Sequence, residues 1–333
     1  MSTFKITNNP NSILIDDYLK LGGPDVSNTI DVNGVYITHH TSSITGEEPA
    51  QPVKQGNKYY MLIGEIYNCD IYFCIEKYSE HGDKFTEHLD GEFLFIIYDE
   101  KTDTIDLFTD PWSTRQAFYY KIDDCFYFST FPMTEPKDTR FGKSQGSFFI
   151  TPMESKFSKD IEWKKTFYRI PHNSHHNYNV KTGILKPVNT ELHKWDLNQY
   201  KDTLDDLTRA FEESVLKRYT ENLTLFLSSG LDSIPIALCL ADHKKHFNSI
   251  TCLIGPWEGR EDVETLNQVI QYTDRYNKHI RVEKIPDWDE INLETEWKNN
   301  RNRLVSVNLP FRTQWLMREE SISNFNSKVI FLI

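Results

Sequence analysis

Hydrophobic and polar positions follow two regimes along the chain. Up to about residue 150 the apolar residues come in short runs separated by turn residues: Gly34–Ile37, Tyr59–Ile63, Phe93–Tyr98, Ile105–Thr109, Phe126–Thr130 and Phe148–Ile150. Runs of this length, bounded by Gly, Asn, Asp and Ser, predict strands, and their succession predicts antiparallel sheets. Ile71, Cys74, Ile75 and Tyr78 instead recur at helical spacing and predict one helix within 70–88, packed on a sheet.

Beyond residue 200 the period changes. Leu204, Leu207, Phe211 and Val215 place four apolar residues on one face of a helix over 202–219. A buried-strand pattern at Leu223–Leu227 comes next, then the polar stretch Ser228-Ser229-Gly230-Leu231-Asp232-Ser233, then a helix over Ile234–His243. Strands at Asn248–Gly255 and Ile280–Ile285 flank a helix at Asp262–Asn277. Alternating strand and helix imply a parallel sheet with right-handed crossovers, whose ligand lies beyond the carboxyl ends of the strands. The hydrophilic stretch Asn189–Asn198 reads as a linker, dividing the chain into domains 1–195 and 196–333. No internal repeat is visible.

The stretch at 228–233 carries the strongest chemical signal. A strand, a loop of small polar residues and a helix aim backbone N–H groups at one point, where serine hydroxyls add donors, so the expected ligand is a phosphate chain. Asp232 would repel phosphate unless a divalent cation lay between them, which suggests Mg²⁺ bridging to a triphosphate. The loop is not a Walker loop, since no GxxxxGK[ST] occurs. From the residues alone, a serine-capped strand-to-helix turn would be the better account of it.

Composition narrows the classes. With 333 residues, 38% hydrophobic and 14% aromatic, the chain can build two cores. A net charge of −12 and a pI near 5.4 argue against a general nucleic-acid or membrane-surface binder. The start, MSTFKITNNPNS, has no basic-then-apolar leader pattern and the apolar runs are too short to span a bilayer, so a soluble cytoplasmic protein is expected. Cys69, Cys74, Cys125, Cys239 and Cys252 form no CxxC pair and indicate neither disulfides nor zinc; Cys239 and Cys252 read as core. His172, His175 and His176 read as a solvated loop rather than a metal site.

The string S-S-G-L-D-S resembles the S-G-G-x-D-S loop of the ATP pyrophosphatases, and the residues after it are similar to the synthetase domain of asparagine synthetase. The resemblance implies an ATP site at Ser228, Ser229, Gly230, Leu231, Asp232 and Ser233, with Phe226 and Cys252 flanking the adenine and Asp232 holding Mg²⁺. Ser229 stands where the family has glycine; if that backbone needs positive φ, serine costs about 1 kcal/mol. The resemblance extends upstream through Gly23-Pro24-Asp25, Gln51-Pro52, Gly64-Glu65-Ile66-Tyr67-Asn68, Leu89-Asp90-Gly91-Glu92-Phe93 and Asp110-Pro111-Trp112-Ser113-Thr114-Arg115, which keep the order of the family's glutaminase half. Phe167–Pro171 and the turn Lys181-Thr182-Gly183 resemble that half's closing strands. The implied fold is an α+β N-terminal-nucleophile-type αββα sandwich followed by an α/β parallel-sheet ATP-pyrophosphatase-like domain.

The departures imply a glutaminase half that no longer works. The family's nucleophile is a cysteine exposed by Met removal; here Ser2, Thr3 and Phe4 follow Met1. Ile63 replaces the asparagine of the oxyanion hole, and His39-His40-Thr41-Ser42-Ser43 replaces a segment carrying an arginine. The glutamine-binding S-D-T-E segment is deleted after Asn68, leaving Gly64 and Glu65 as a vestigial pocket.

In the synthetase half, Leu309-Pro310 fits the family, but Asn299–Asn308 lacks its D-E-P string, and Lys328–Ile333 resembles the strand entering the second loop, S-G-x-G-A-D-E, which lies beyond Ile333. The catalytic residues are therefore not assigned. The expected activity is ATP-dependent adenylation of a carboxylate, aspartate by resemblance, followed by amide formation with an amine, with ATP and Mg²⁺ as cofactors. The alternatives are a cyclase of the β-lactam synthetase kind and a non-catalytic or split-gene remnant. The expected partners are the small carboxylate and amine, with a C-terminal complementing chain or a second copy; the chain alone is expected to bind ATP weakly and turn over little without the missing loop.

Overall fold

The computed structural model describes residues 2–11, 19–20, 23, 25–41, 49–67, 69–122, 124–130, 167–194, 203–221, 223–252, 263–282 and 329–331. They form two compact units, one reaching residue 194 and the other beginning at residue 203.

In the first unit the order is β1 (Thr3–Thr7), β2 (Val26–Val32), β3 (Val35–Thr41), β4 (Val53–Gln55), β5 (Lys58–Ile66), α1 (Ile71–His81), a 3₁₀ helix (Gly82–His88), β6 (Gly91–Asp99), β7 (Thr104–Thr109), β8 (Phe118–Ile122), β9 (Cys125–Ser129), β10 (Phe167–Arg169), β11 (His175–Asn179) and β12 (Ile184–Asn189). They build two six-stranded sheets, β10-β8-β9-β1-β3-β2 and β12-β11-β7-β6-β5-β4. Every neighbouring pair is antiparallel. Alternation along each strand explains the stacking. Phe4, Ile6, Ile37, Phe126 and Phe128 of the first sheet meet Met61, Ile63, Leu94, Ile96 and Leu107 of the second in one buried core. The other face of the second sheet, with Tyr60, Leu62, Phe93, Phe95 and Ile97, packs on Ile71, Cys74, Ile75 and Phe85. The described residues thus show two sheets and one helical layer, the latter from the helix anticipated within 70–88.

That helix is shorter than its periodicity suggested. Asp70 caps its start, accepting from the Phe73 N–H at 3.1 Å, and Gly82 at φ +57° ends α1 before the chain tightens into the 3₁₀ turn. The anticipated strand Phe148–Ile150 lies outside the described residues. The histidine-rich segment corrects the loop reading: His175 and His176 are buried in β11, paired on both sides by β7 and β12. His175 accommodates burial by stacking on Phe108 and meeting Asp106 at 2.8 Å through Nε2. The expected linker also begins later than Asn189. Leu192 packs on the core, and the Asn173 side chain bonds the His193 backbone in both directions, at 2.7 and 2.8 Å.

The second unit contains α2 (Leu204–Lys217), β13 (Leu223–Phe226), α3 (Ser233–Asp242), β14 (Phe247–Cys252), α4 (Val263–Thr273), β15 (Asn277–Val282) and β16 (Val329–Phe331). The sheet order is β15-β14-β13-β16, with all three pairings parallel. α2 carries a capping box between Thr203 and Asp206, but the anticipated apolar face is not covered: Leu204, Leu207 and Phe211 are exposed and only Val215 is buried. β15 starts at Asn277, ahead of the expected Ile280, because Tyr276 N–H bonds Thr273 C=O at 2.8 Å and closes α4 early. Among the described residues no helix is long and apolar enough to cross a membrane.

Candidate functional site

Two places collect the residues singled out from sequence, one in each unit. In the first unit the separate strings become neighbours. Gly64, Glu65 and Ile66 on β5 lie in register with Phe93, Glu92 and Gly91 on β6, so G-E-I and G-E-F are antiparallel partners. Gly64 adopts φ +114°, and a Cβ there would sit 2.0 Å from the Glu92 carbonyl oxygen and 2.8 Å from Arg115 Cγ. Only glycine allows that approach.

Asp110 builds the adjoining turn. Its carboxylate accepts from the N–H groups of Phe93 at 3.1 Å and Trp112 at 2.7 Å, and from both the N–H and the hydroxyl of Thr114. The turn delivers Arg115, whose Nη2 lies 3.4 Å from Glu92 Oε2, while the Tyr67 hydroxyl donates to Glu92 Oε1 at 3.1 Å. Glu65 and Glu92 face one another across the strands, an arrangement that repels when uncompensated, and Arg115 supplies the offsetting charge. Gln51 Oε1 accepts from Leu62 N–H at 2.7 Å, tying Gln51-Pro52 to β5.

Within the segment expected to replace an arginine, His39 offers no cation. His39 shares the inner face of β3 with Ile37, is 1% exposed and meets the Thr41 hydroxyl through Nδ1 at 3.2 Å. Burial, aided by neighbouring His40, lowers its pKa to about 3, so the ring is neutral at physiological pH. Because the unfolded histidine titrates near 6.5, its contribution to stability is full above that value and is lost progressively as pH falls toward 3. Burial lowers His176 and His193 as well, adding in the same direction. Between pH 6.5 and pH 5 the first unit should lose roughly 2 kcal/mol through His39. Urea midpoints at pH 7.5 and pH 5 measure it, and His39→Gln should shrink the difference; identical midpoints in the unsubstituted protein would refute the assignment.

In the second unit, chain order runs from β13 outward to β14 and β15, then returns to β16 on the opposite side of β13. The direction of winding therefore reverses at β13, and the Ser228–Ser233 stretch leaves the carboxyl end of that strand, where open parallel sheets place ligands. Leu227 N–H bonds Ile250 C=O at 2.9 Å and the Thr251 hydroxyl donates to Leu227 C=O at 2.8 Å, so β14 anchors the loop's base. Phe226 is half-buried beside Ile250 in register, and Cys252 ends β14 with its side chain outside the described residues.

Ser228 and Ser229 are half-buried, Ser233 is buried, and Gly230, Leu231 and Asp232 are exposed. Ser229 does not adopt positive φ, so the serine in place of glycine carries no left-handed strain. Asp232 occupies the N-cap position of α3, is exposed and makes no side-chain cap bond. Among the described residues no group of three His, Cys, Asp or Glu side chains could hold a metal ion, so phosphate oxygens and water would have to complete the shell of any ion at Asp232. Sequence reasoning had not singled out Asp110, Arg115 and Glu92 as one cluster; the only signal was their membership of adjacent strings.

Residues 68–133 match a family described as a glutamine amidotransferase domain. A probable glutamine-hydrolysing asparagine synthetase of Dictyostelium discoideum is 22% identical over 271 residues, covering 70% of this chain and 42% of that protein. Glutamine-hydrolysing asparagine synthetase 3 of Bacillus subtilis is 24% identical over 267 residues, 68% of this chain and 42% of that protein. Among solved structures, the glutamine phosphoribosylpyrophosphate amidotransferase of B. subtilis, complexed with ADP and GMP, aligns with a TM-score of 0.39 and 12% identity over 78% of this chain and 68% of that one. The chain is thus similar to asparagine synthetases over about two-thirds of its length and spans less than half of theirs.

Proposed function

We propose that the chain is an amidotransferase-type protein of asparagine-synthetase descent whose second unit binds Mg-ATP and activates a carboxylate, and whose first unit is a scaffold that does not hydrolyse glutamine. The nucleotide reading is carried by the place of the Ser228–Ser233 loop, at the reversal point of a parallel sheet and at the head of α3. The loop's backbone and α3 would receive the triphosphate, and Asp232 would hold the Mg²⁺ that screens it. In the proposed reaction a substrate carboxylate displaces pyrophosphate from ATP, and an amine then displaces AMP to form an amide. Aspartate is the proposed acceptor by kinship with the relatives.

The scaffold reading of the first unit rests on its chemistry. The strand opening the first sheet, Thr3–Thr7, carries no cysteine, and His39 is a neutral ring where a cation would be needed to hold an amino-acid carboxylate. Ile63 is buried in the inter-sheet core, so it presents no amide to a developing oxyanion. A cyclising carboxylate activation, in which the amine belongs to the same substrate, is the second reading, favoured by serine at residue 2 where the relatives' nucleophile would be a cysteine.

Calorimetry with ATP, with and without Mg²⁺, tests the nucleotide site, and glutamate release from glutamine tests the scaffold. Mg²⁺-dependent heat of binding and no glutamate above background are the expected results. Steady glutamate release abolished by Ser2→Ala would overturn the scaffold reading. Pyrophosphate release that needs aspartate and added ammonia would favour amide formation over cyclisation.

A further inference from the structure

We infer that Ser233 is a positioning residue that braces the Ser228–Ser233 loop from inside and is not itself a phosphate ligand. The inference rests on the proposed nucleotide site for its functional meaning, but its geometry stands independently. Ser233 is 3% exposed. Its hydroxyl donates to Ser228 C=O at 3.0 Å and accepts from the Ser228 N–H at 3.0 Å. The two serine hydroxyl oxygens are also 3.0 Å apart, and since the Ser233 proton points to the carbonyl, Ser228 is the donor of that bond.

A serine hydroxyl has one proton and two lone pairs. All three are occupied at Ser233 by Ser228, so Ser233 could reach an anion only by breaking the brace. Ser228 Oγ in turn gives its proton to Ser233 and accepts from the Gly230 N–H at 3.2 Å. A chain of hydrogen bonds therefore runs from Gly230 through Ser228 to the first residue of α3, tying the outgoing strand to the incoming helix. Its effect is to fix the loop before any ligand arrives. The phosphate would then be met by backbone N–H groups at the head of α3 and by an ion on Asp232, and the two braced hydroxyls would shape the cradle without touching its contents.

Amide hydrogen exchange on the ligand-free protein separates a brace from a ligand. In Ser233→Ala the Ser228 N–H loses its acceptor, so its exchange should accelerate about fivefold or more, the factor corresponding to one net hydrogen bond. In Ser228→Ala the Gly230 N–H should accelerate while the amide of residue 228 keeps its bond to Ser233. Ser233→Thr retains the hydroxyl and should restore slow exchange. Binding of Mg²⁺-ATP and of Mg²⁺ with inorganic pyrophosphate should weaken about tenfold in Ser233→Ala and recover in Ser233→Thr. Unchanged exchange at Ser228 in Ser233→Ala would overturn the brace, and lost pyrophosphate binding alongside unchanged exchange would make Ser233 a direct ligand. If the unsubstituted protein bound neither nucleotide nor pyrophosphate, the ATP reading would fail while the exchange pattern would still decide the brace.

Discussion

Replacing Gly64 with alanine should cost the first unit about 4 kcal/mol or more, enough to remove most of the stability of a typical domain. Two independent penalties add. The backbone at φ +114° is one that side-chain-bearing residues rarely adopt, and the new methyl would lie 2.0 Å from the Glu92 carbonyl oxygen. That oxygen belongs to the β5–β6 ladder, so relief requires moving backbone rather than turning a side chain. Arg115 would be displaced as well, since its Cγ lies 2.8 Å from the added carbon. Gly34→Ala is the matched control: φ is +82° there, but nothing lies within 4 Å of the added carbon, so only the conformational penalty of roughly 1 kcal/mol should appear. Denaturant midpoints and the yield of folded protein measure both. Equal losses at the two positions would mean that the close approach at Gly64 does not govern the fold.

Asp232→Ala should abolish the Mg²⁺ dependence of ATP binding and lower affinity by about 100-fold, since even outer partners of a metal site contribute roughly 10–100-fold. The carboxylate is exposed and makes no cap bond with α3, so its removal should leave the fold nearly unchanged. Asp232→Asn is the more telling variant. It keeps size and polarity but loses the charge that attracts a divalent cation, while a neutral amide no longer repels bare phosphate. Weak, Mg²⁺-independent ATP binding is therefore the expected result for Asn. Calorimetry against ATP and Mg-ATP distinguishes the cases, and wild-type affinity in the alanine variant would take the metal away from Asp232.

The chain's periodicities made the larger divisions readable. Among the described residues, the short apolar runs of the first half became strands, because one face of each had to meet an apolar layer, and strand–loop–helix spacing located the Ser228 loop because few other arrangements suit such a pattern. Segments whose outward face is polar yet buried escaped notice. Thr3–Thr7 and His175–Asn179 look hydrophilic in isolation, and only pairing on both sides, with partners such as Asp106, makes their burial tolerable. The converse holds for α2, where helical spacing of Leu204, Leu207 and Phe211 was legible but exposure was not, since burial depends on what lies opposite.

Local spacing by itself determined the identity of the loop residues, the helix and strand types around them and the likeness of the strings to asparagine synthetases, because each depends on residues near in sequence. Long-range pairing decided the rest. Gly64 and Glu92 are far apart in the chain yet in adjacent rungs of one ladder, and the reversal of strand order at β13 exists only once β16 pairs with it. His39 became a neutral ring only when two sheets closed over it, and Ser233 became saturated only when the loop folded back on Ser228. Desolvation and hydrogen-bond saturation are properties of surroundings, and those surroundings come from contacts that the fold, not the local sequence, brings together.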